Sequence, residues 1–99
     1  MVANIRNEYL ICYDIQDNKI RDRFFKDLRA YGLKIVQKSV FWGFITNAEL
    51  SAIKNMSKNI INNDNNKILI MKTAISKNNS YFFGYDNSDF KDWDEFCFI

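Results

Sequence analysis

Apolar residues along this chain change their spacing several times, and each change marks an element. Tyr9, Leu10, Ile11, Cys12, Tyr13 and Ile15 form a nearly unbroken apolar run whose only charge is Asp14. β-Branched and aromatic side chains suit a pleated surface. Apolar residues at successive positions imply cover on both faces, so the run predicts a central strand. Beyond it the period lengthens: Ile20, Phe24, Leu28 and Tyr31 make the single stripe of an amphipathic helix. Asp17 or Asn18 is the expected N-cap, and Gly32 the stop after Tyr31.

Residues 33–45 return to a strand composition, rich in Val, Ile, Phe and Trp, but are too long for one typical strand. A tight connection between Lys38 and Phe41, or a bend at Gly43, is expected to divide them into two antiparallel strands. Thr46 and Glu49 then make a capping box, flanked by Ile45 and Leu50 as a hydrophobic staple. Leu50, Ile53, Met56 and Ile60 form the buried stripe of a second helix. The asparagine-rich residues 62–66 break it with side chains that tolerate left-handed dihedrals. Residues 67–75 contain a fourth strand, apolar on both faces; 76–80 are a polar linker; and 81–85, with Tyr81, Phe82, Phe83 and Tyr85, read as a fifth strand.

Strand, helix, strand, strand, helix, strand is the split βαβ order. The expected fold is therefore α+β, ferredoxin-like, with both helices on one face of an antiparallel sheet and an extra C-terminal strand. The uncovered face needs a cover, and a second copy packed sheet to sheet about a two-fold axis provides one. The alternative is that the C-terminal residues fold over their own sheet. Residues 1–75 are expected to form the domain, and 76–99 a strand and an acidic aromatic tail for dimer or partner docking.

Composition narrows the class. At 99 residues, 47% hydrophobic and 16% aromatic, the chain is one ordinary globular domain with a modest core. No apolar run approaches the ~20 residues of a membrane helix, and the N-terminus does not read as a signal peptide. Two cysteines without a metal-type spacing fit a reducing cytoplasm. The absence of histidine excludes Ser-His-Asp and Cys-His catalysis and, with so few cysteines, zinc sites. The net charge of +2 conceals an asymmetry. Residues 1–85 carry 13 Lys and Arg against 7 Asp and Glu, or +6, and residues 86–99 carry 1 against 5, or −4. A basic body suits a polyanionic partner, and an acidic tail bearing Phe90, Trp93 and Phe96 suits a protein one.

Asp14 is the first candidate for chemistry, because a carboxylate leaving a central strand enters the loop region where sites in open sheets often lie. The competing role is a cap for the following loop or helix. Arg21, Arg23, Lys26, Arg29, Lys34 and Lys38 are either a solvated surface or, doubled by a two-fold axis, a basic track for duplex DNA. Phe41 and Trp42 are candidates for base stacking or for the core. Gln37, Ser39 and Phe41 are candidate cleft or interface residues; Ser39 has no evident base to activate it as a nucleophile.

Several of these residues together carry a resemblance. The run from Tyr9 to Ile15, Arg21 and Arg23 in the first helix, Tyr31 with Gly32, and Val36, Gln37, Lys38, Ser39, Val40 and Phe41 resemble the CRISPR-associated family "Cas two", over roughly residues 8–75. The resemblance implies a ferredoxin-like homodimer that works with the integrase "Cas one" in capturing new spacers. It also implies, as described for many members, metal-dependent endonuclease activity on RNA or DNA. By resemblance Asp14 is the metal-binding and catalytic carboxylate, Ser39 and Phe41 line the nearby dimer cleft, and Arg21 and Arg23 contact phosphate. Where some members carry arginine just before the Val-Gln pair, this chain has Ile35, with Lys34 and Lys38 as the nearest cations. One aspartate per chain is a poor Mg2+ or Mn2+ site, but two copies of Asp14 at a two-fold axis can share one ion. The resemblance thus implies a cytoplasmic scaffold that bridges integrase subunits on duplex DNA, with cleavage of DNA or single-stranded RNA as an added activity. The alternative is a toxin-like endoribonuclease of the same fold, acting without an integrase.

Overall fold

The computed structural model describes residues 5–62, 65–76 and 78–85. Its elements run β1 (Arg6–Asp14), α1 (Asn18–Ala30), β2 (Lys34–Gln37), β3 (Val40–Thr46), α2 (Asn47–Ile60) and β4 (Lys67–Lys72). The strands form one antiparallel sheet in the order β2-β3-β1-β4. This is the ferredoxin-like arrangement the element order predicts. β1 is central, pairing with β3 from Arg6↔Thr46 to Cys12↔Val40 and with β4 from Tyr9↔Lys72 to Asp14↔Lys67.

Alternation along β1 divides the two faces. Ile11 and Tyr13 join Phe41, Ile45, Phe24, Leu28 and Ile53 in the core beneath the helices. Three ring contacts tie that core together: Tyr13 meets Phe24 edge-on at 5.2 Å, stacks on Phe41 at 6.3 Å, and Phe41 meets Phe25 edge-on at 5.3 Å. Each such pair contributes about 0.5–1.5 kcal/mol beyond the area it buries. On the other face the register sets Leu69, Cys12 and Val40 in one row and Met71, Leu10, Trp42 and Lys34 in the next. That face is unevenly covered within one chain. Trp42 is 2% exposed, whereas Leu69 and Met71 on the edge strand are 52% and 40% exposed.

The helix ends follow their sequence signals. Asp17 caps α1, its carboxylate accepting from the Ile20 amide at 2.9 Å. At the other end Gly32 takes φ +88, its amide donating to Arg29 O and that of Leu33 to Leu28 O, a Schellman closure. In α2 both arms of the capping box are present: Thr46 Oγ1 accepts from the Glu49 amide at 3.2 Å, and Glu49 Oε1 from the Thr46 amide at 2.8 Å. The divide between β2 and β3 falls at Lys38 and Ser39, with Ser39 at φ +63 and a bulge between Ile35 and Gln37. Gly43 makes no bend. It lies within β3, where a Cβ would sit 3.1 Å from Leu33 Cδ2, so its absence of a side chain admits Leu33 to the core.

Two features depart from expectation. Residues 81–85 form no strand within the chain: Gly84 turns at φ +87, Phe82 packs edge-on against Tyr85 at 6.1 Å, and Tyr81 and Phe83 are 81% and 85% exposed. The path out of β4 is instead set by Glu8, buried on a face read as apolar. Its carboxylate accepts from Thr73 Oγ1 at 2.6 Å and the Ile75 amide at 2.8 Å, and its carbonyl from the Thr73 amide. The acidic tail with Phe90, Trp93 and Phe96, and Cys97, lie outside the described residues. No helix among the described residues is long and apolar enough to cross a membrane.

Replacing Phe41 by Ala is expected to cost about 3–5 kcal/mol, since the ring joins β3 to both Tyr13 and α1. Thr46→Ala, which removes one arm of a surface cap, is expected to cost about 1 kcal/mol. Urea denaturation of both variants beside the wild type checks the order.

Candidate nucleic-acid site at the exit of β1

The last two residues of β1 face opposite sides of the sheet, and each enters a different depression. Asp14 is exposed on the side without helices, beside Lys67, its cross-strand partner. Its Oδ1 accepts from Gln16 Nε2 at 3.2 Å. Cys12, Lys67 and Leu69 help line a shallow groove of about 270 Å3 around it. Asp14 is not the cap of the following helix, a role that Asp17 fills. The loop it begins is held from below. The buried Asn66 accepts from the Gln16 amide at 2.8 Å through Oδ1 and donates from Nδ2 to Ile60 O at 3.0 Å, joining the ends of β1 and α2.

Tyr13 points to the helix side. Its phenol borders a cleft of about 140 Å3 with Arg21 from α1 and Lys38 and Ser39 from the β2–β3 turn. The turn is docked there by the Tyr13 amide, which donates to Ser39 O at 3.0 Å. Burial pushes the Tyr13 pKa above its ordinary 10.0; a hydrogen bond from Ser39 and the charge of Arg21 oppose this, and Asp22 adds to it. Arg21 is anchored as well as charged, donating to Ile15 O at 3.3 Å and to Asn18 Oδ1.

Of the residues singled out in the sequence, Arg21, Lys38 and Ser39 therefore meet in one cleft, and Asp14 stands on the far side of the sheet from them. Phe41 is not a cleft residue: it is fully buried, because the parity of β3 turns its ring into the core against Tyr13 and Phe25. Trp42 is buried likewise. Gln37 is exposed at the end of β2. The cations do not form one row within a chain. Arg23, Lys26 and Arg29 are exposed on α1, Arg29 lying 5.8 Å above the Phe25 ring, whereas Lys34 is half-buried and shares the register row of Trp42.

As for a metal, the described residues contain no group of three or more His, Cys, Asp or Glu able to hold one. At the exit of β1 the hard oxygen donor that suits Mg2+ is one exposed carboxylate, Asp14, steadied by Gln16. The residues fit the ion only if a second copy brings its own Asp14. Sequence reasoning missed Asn66, Gln16 and Lys67. Asn66 sits in a run of similar residues, and nothing in its local spacing separates a buried bridge from a turn former.

The chain is similar to known proteins over most of its length. Residues 7–81 match the family described as CRISPR associated protein Cas2. A protein of Francisella tularensis subsp. novicida, CRISPR-associated endoribonuclease Cas2 1, is 49% identical over 96 residues, covering 96% of this chain and 98% of its own. A CRISPR-associated endoribonuclease Cas2 1 of Methanospirillum hungatei is 35% identical over 66% of this chain and 68% of its own. Among solved structures, one described as the crystal structure of cas2 superposes with a TM-score of 0.65 and 25% identity, over 84% of this chain and 92% of that one.

The raised pKa of Tyr13 has a direction in stability. The folded chain holds the phenolic proton more tightly than the unfolded one, so this contribution is complete below about pH 10 and is lost as pH rises through the folded value. Tyr13→Phe is expected to shallow the alkaline fall in stability as pH rises above about 10, the ordinary value of the phenol. Denaturation midpoints of both proteins across that range measure it. An unchanged slope would place the titrating group elsewhere.

Proposed function

The chain belongs to the CRISPR associated protein Cas2 family, and from that premise we propose that it is a homodimeric, metal-dependent endonuclease acting on the phosphodiester backbone of RNA or DNA through Asp14. The observation that carries this reading is the position of Asp14: an exposed carboxylate at the exit of the central strand, bordering the apolar face that one chain leaves partly open at Leu69 and Met71. The names of the Francisella and Methanospirillum relatives support it, since both are called endoribonucleases. A second copy laid on that face covers Leu69 and Met71 and brings a second Asp14 to the same end of the paired sheets.

Asp14 from each of the two copies would hold Mg2+ or Mn2+, which when bound would lower the pKa of a water and polarise the phosphodiester. What the chain does is hold and orient. Gln16 fixes one carboxylate oxygen of Asp14, leaving the other lone pairs for the ion. Asn66 fixes the backbone of Gln16. Lys67, opposite Asp14, adds positive charge where a phosphate approaches. A second copy covering Leu69 would exclude water from this groove and strengthen these interactions.

A second role is favoured by a separate observation, the exposed cations of α1, among them Arg23, Lys26 and Arg29. Doubled by the dimer axis, they suit a scaffold that holds duplex DNA by its phosphates without reading sequence, and that bridges the Cas-one integrase in the cytoplasm during spacer acquisition. The aromatic, acidic tail, with Phe90, Trp93 and Phe96, is the segment whose chemistry suits the integrase interface. An enzyme acting alone, as a toxin-like ribonuclease does, has no use for such an interface.

Asp14→Ala is expected to lower metal-dependent cleavage of end-labelled single-stranded RNA or duplex DNA by on the order of 10²-fold or more, with the dimer intact by sedimentation. Equal cleavage by the two proteins rejects Asp14 as the centre. Reversing Arg23, Lys26 and Arg29 to Glu is expected to weaken duplex binding and to flatten its salt dependence, by roughly 0.9 in log–log slope for each phosphate that the variant no longer neutralises. Duplex affinity measured at several salt concentrations gives both quantities.

A further inference from the structure

Gln16 is tied at three points although it lies in the exposed loop that follows β1. Its amide donates to Asn66 Oδ1 at 2.8 Å, and the carbonyl of the same peptide unit, Ile15 O, accepts from Arg21 Nη1 at 3.3 Å. One clamp comes from α1 and the other from the residue that precedes β4, and Asn66 is itself buried and held to Ile60 O. A loop peptide whose two polar groups are both engaged by side chains starts its own side chain from a fixed place. That lowers the cost of ordering the side chain when something binds to it.

The third tie decides which end of the side chain faces which way. An ionised carboxylate can only accept, so the Gln16 amide presents Nε2 to Asp14 Oδ1, at 3.2 Å, and turns Oε1 away from it. Gln16 Oε1 takes no bond from any described residue. We infer that this oxygen accepts from the 2′-hydroxyl of a ribonucleotide at the Asp14 centre, which makes Gln16 the residue that favours RNA over DNA. The inference rests on the reading of Asp14 as the nuclease centre and names the sugar of its substrate.

The chemistry of the strand leads to the hydroxyl. A phosphodiester offers only acceptors, and so does deoxyribose within a strand. The 2′-hydroxyl is the hydrogen-bond donor of a nucleic-acid backbone, and it is the group by which a protein tells RNA from DNA. Lys67, the cross-strand partner of Asp14, is the cation among the residues that line the groove, and it draws a phosphate there. A carbonyl oxygen at the same rim repels phosphate oxygens and gains only from a donor. The sugar hydroxyl adjoining the phosphate is that donor. Base amines also donate, but a contact with them depends on base identity, whereas the 2′-hydroxyl is the same in every nucleotide.

The two ends of one amide therefore serve two tasks. Nε2 steadies the carboxylate and Oε1 meets the ribose, so a single side chain sets the spacing between them. A neutral hydrogen bond of this kind corresponds to about fivefold in affinity.

The test is fluorescence anisotropy of the full chain in chelator, with one short labelled single strand of mixed sequence made as RNA, as the 2′-deoxy strand and as the 2′-O-methyl strand. The methyl ether keeps the ribose oxygen but lacks the donor. The wild type is expected to bind RNA about fivefold more tightly than either of the others, and the side-chain amide resonances of Gln16 are expected to shift with RNA and not with the 2′-O-methyl strand. Gln16→Met, of similar length but without the carbonyl, is expected to bring the three affinities together. Its thermal midpoint stays at that of the wild type, because the side chain is exposed. Equal binding of the three strands by the wild type, binding of the 2′-O-methyl strand as tight as that of RNA, or a preference that survives Gln16→Met overturns the inference. A sugar preference lost in Gln16→Met, beside equal metal-dependent cleavage by Asp14→Ala and the wild type, rejects the nuclease reading alone. Cleavage that requires Asp14, without any sugar preference in binding, rejects the ribose contact alone.

Discussion

Everything at the candidate site depends on the register of β1. The strand is hydrogen-bonded on both edges, to β3 and to β4, and carries buried side chains on the helix face and half-buried apolar ones on the other. A slip of one residue would carry Ile11 and Tyr13 out of the core and drive Cys12 and Asp14 into it, which the burial of an unpaired carboxylate makes prohibitive. The same constraint that stabilises the sheet therefore decides that Tyr13 faces the helices and Asp14 the open side. Stability and site geometry are consequences of one alternation.

Local closures keep that alternation in place at the end where it matters. Asp17 starts α1 immediately after the β1 exit, Asn66 ties that exit to the end of α2, and the Tyr13 amide holds the β2–β3 turn. Each closure satisfies backbone groups that would otherwise be left without partners at the rim of the core. They converge because three connections of the fold meet at one end of the central strand. The opposite end is organised differently: Glu8 receives the chain leaving β4 and directs it away from the sheet.

The fold was legible because its signals are redundant. β1 announced itself by composition, α1 by its stripe, Asp17 and Gly32, and α2 by Thr46 and Glu49, each a local rule that packing then reinforced. The β2–β3 divide was legible only to within a few residues, since Lys38, Ser39 and Gly43 all permit a break and the choice rests on Leu33 entering the space above Gly43. Residues 81–85 show the limit of composition: aromatic content suits a strand, but a strand needs an edge to pair with, and within the described residues of one chain they pair with none. Candidate-site chemistry was half legible. Asp14, Arg21, Lys38 and Ser39 stood out by charge or position. Phe41 was placed at the cleft by the resemblance and by alternation with Gln37 and Ser39, although its ring is buried in the core, and Asn66 and Gln16 act through contacts that no local pattern encodes.

Strand parity also explains why two adjacent residues at one end of one strand meet different surroundings. Tyr13 and Asp14 are adjacent in sequence, yet the pleat sends their side chains to opposite faces, with the sheet between them. The Asp14 carboxylate and the cleft beside Arg21 are therefore both attached to the same few peptide units, but they lie on opposite faces of the sheet. Backbone motion at the exit of β1 is felt at both. Asn66 and the Ser39 carbonyl restrain those peptide units from two directions, so the spacing between the faces is rigid rather than adjustable.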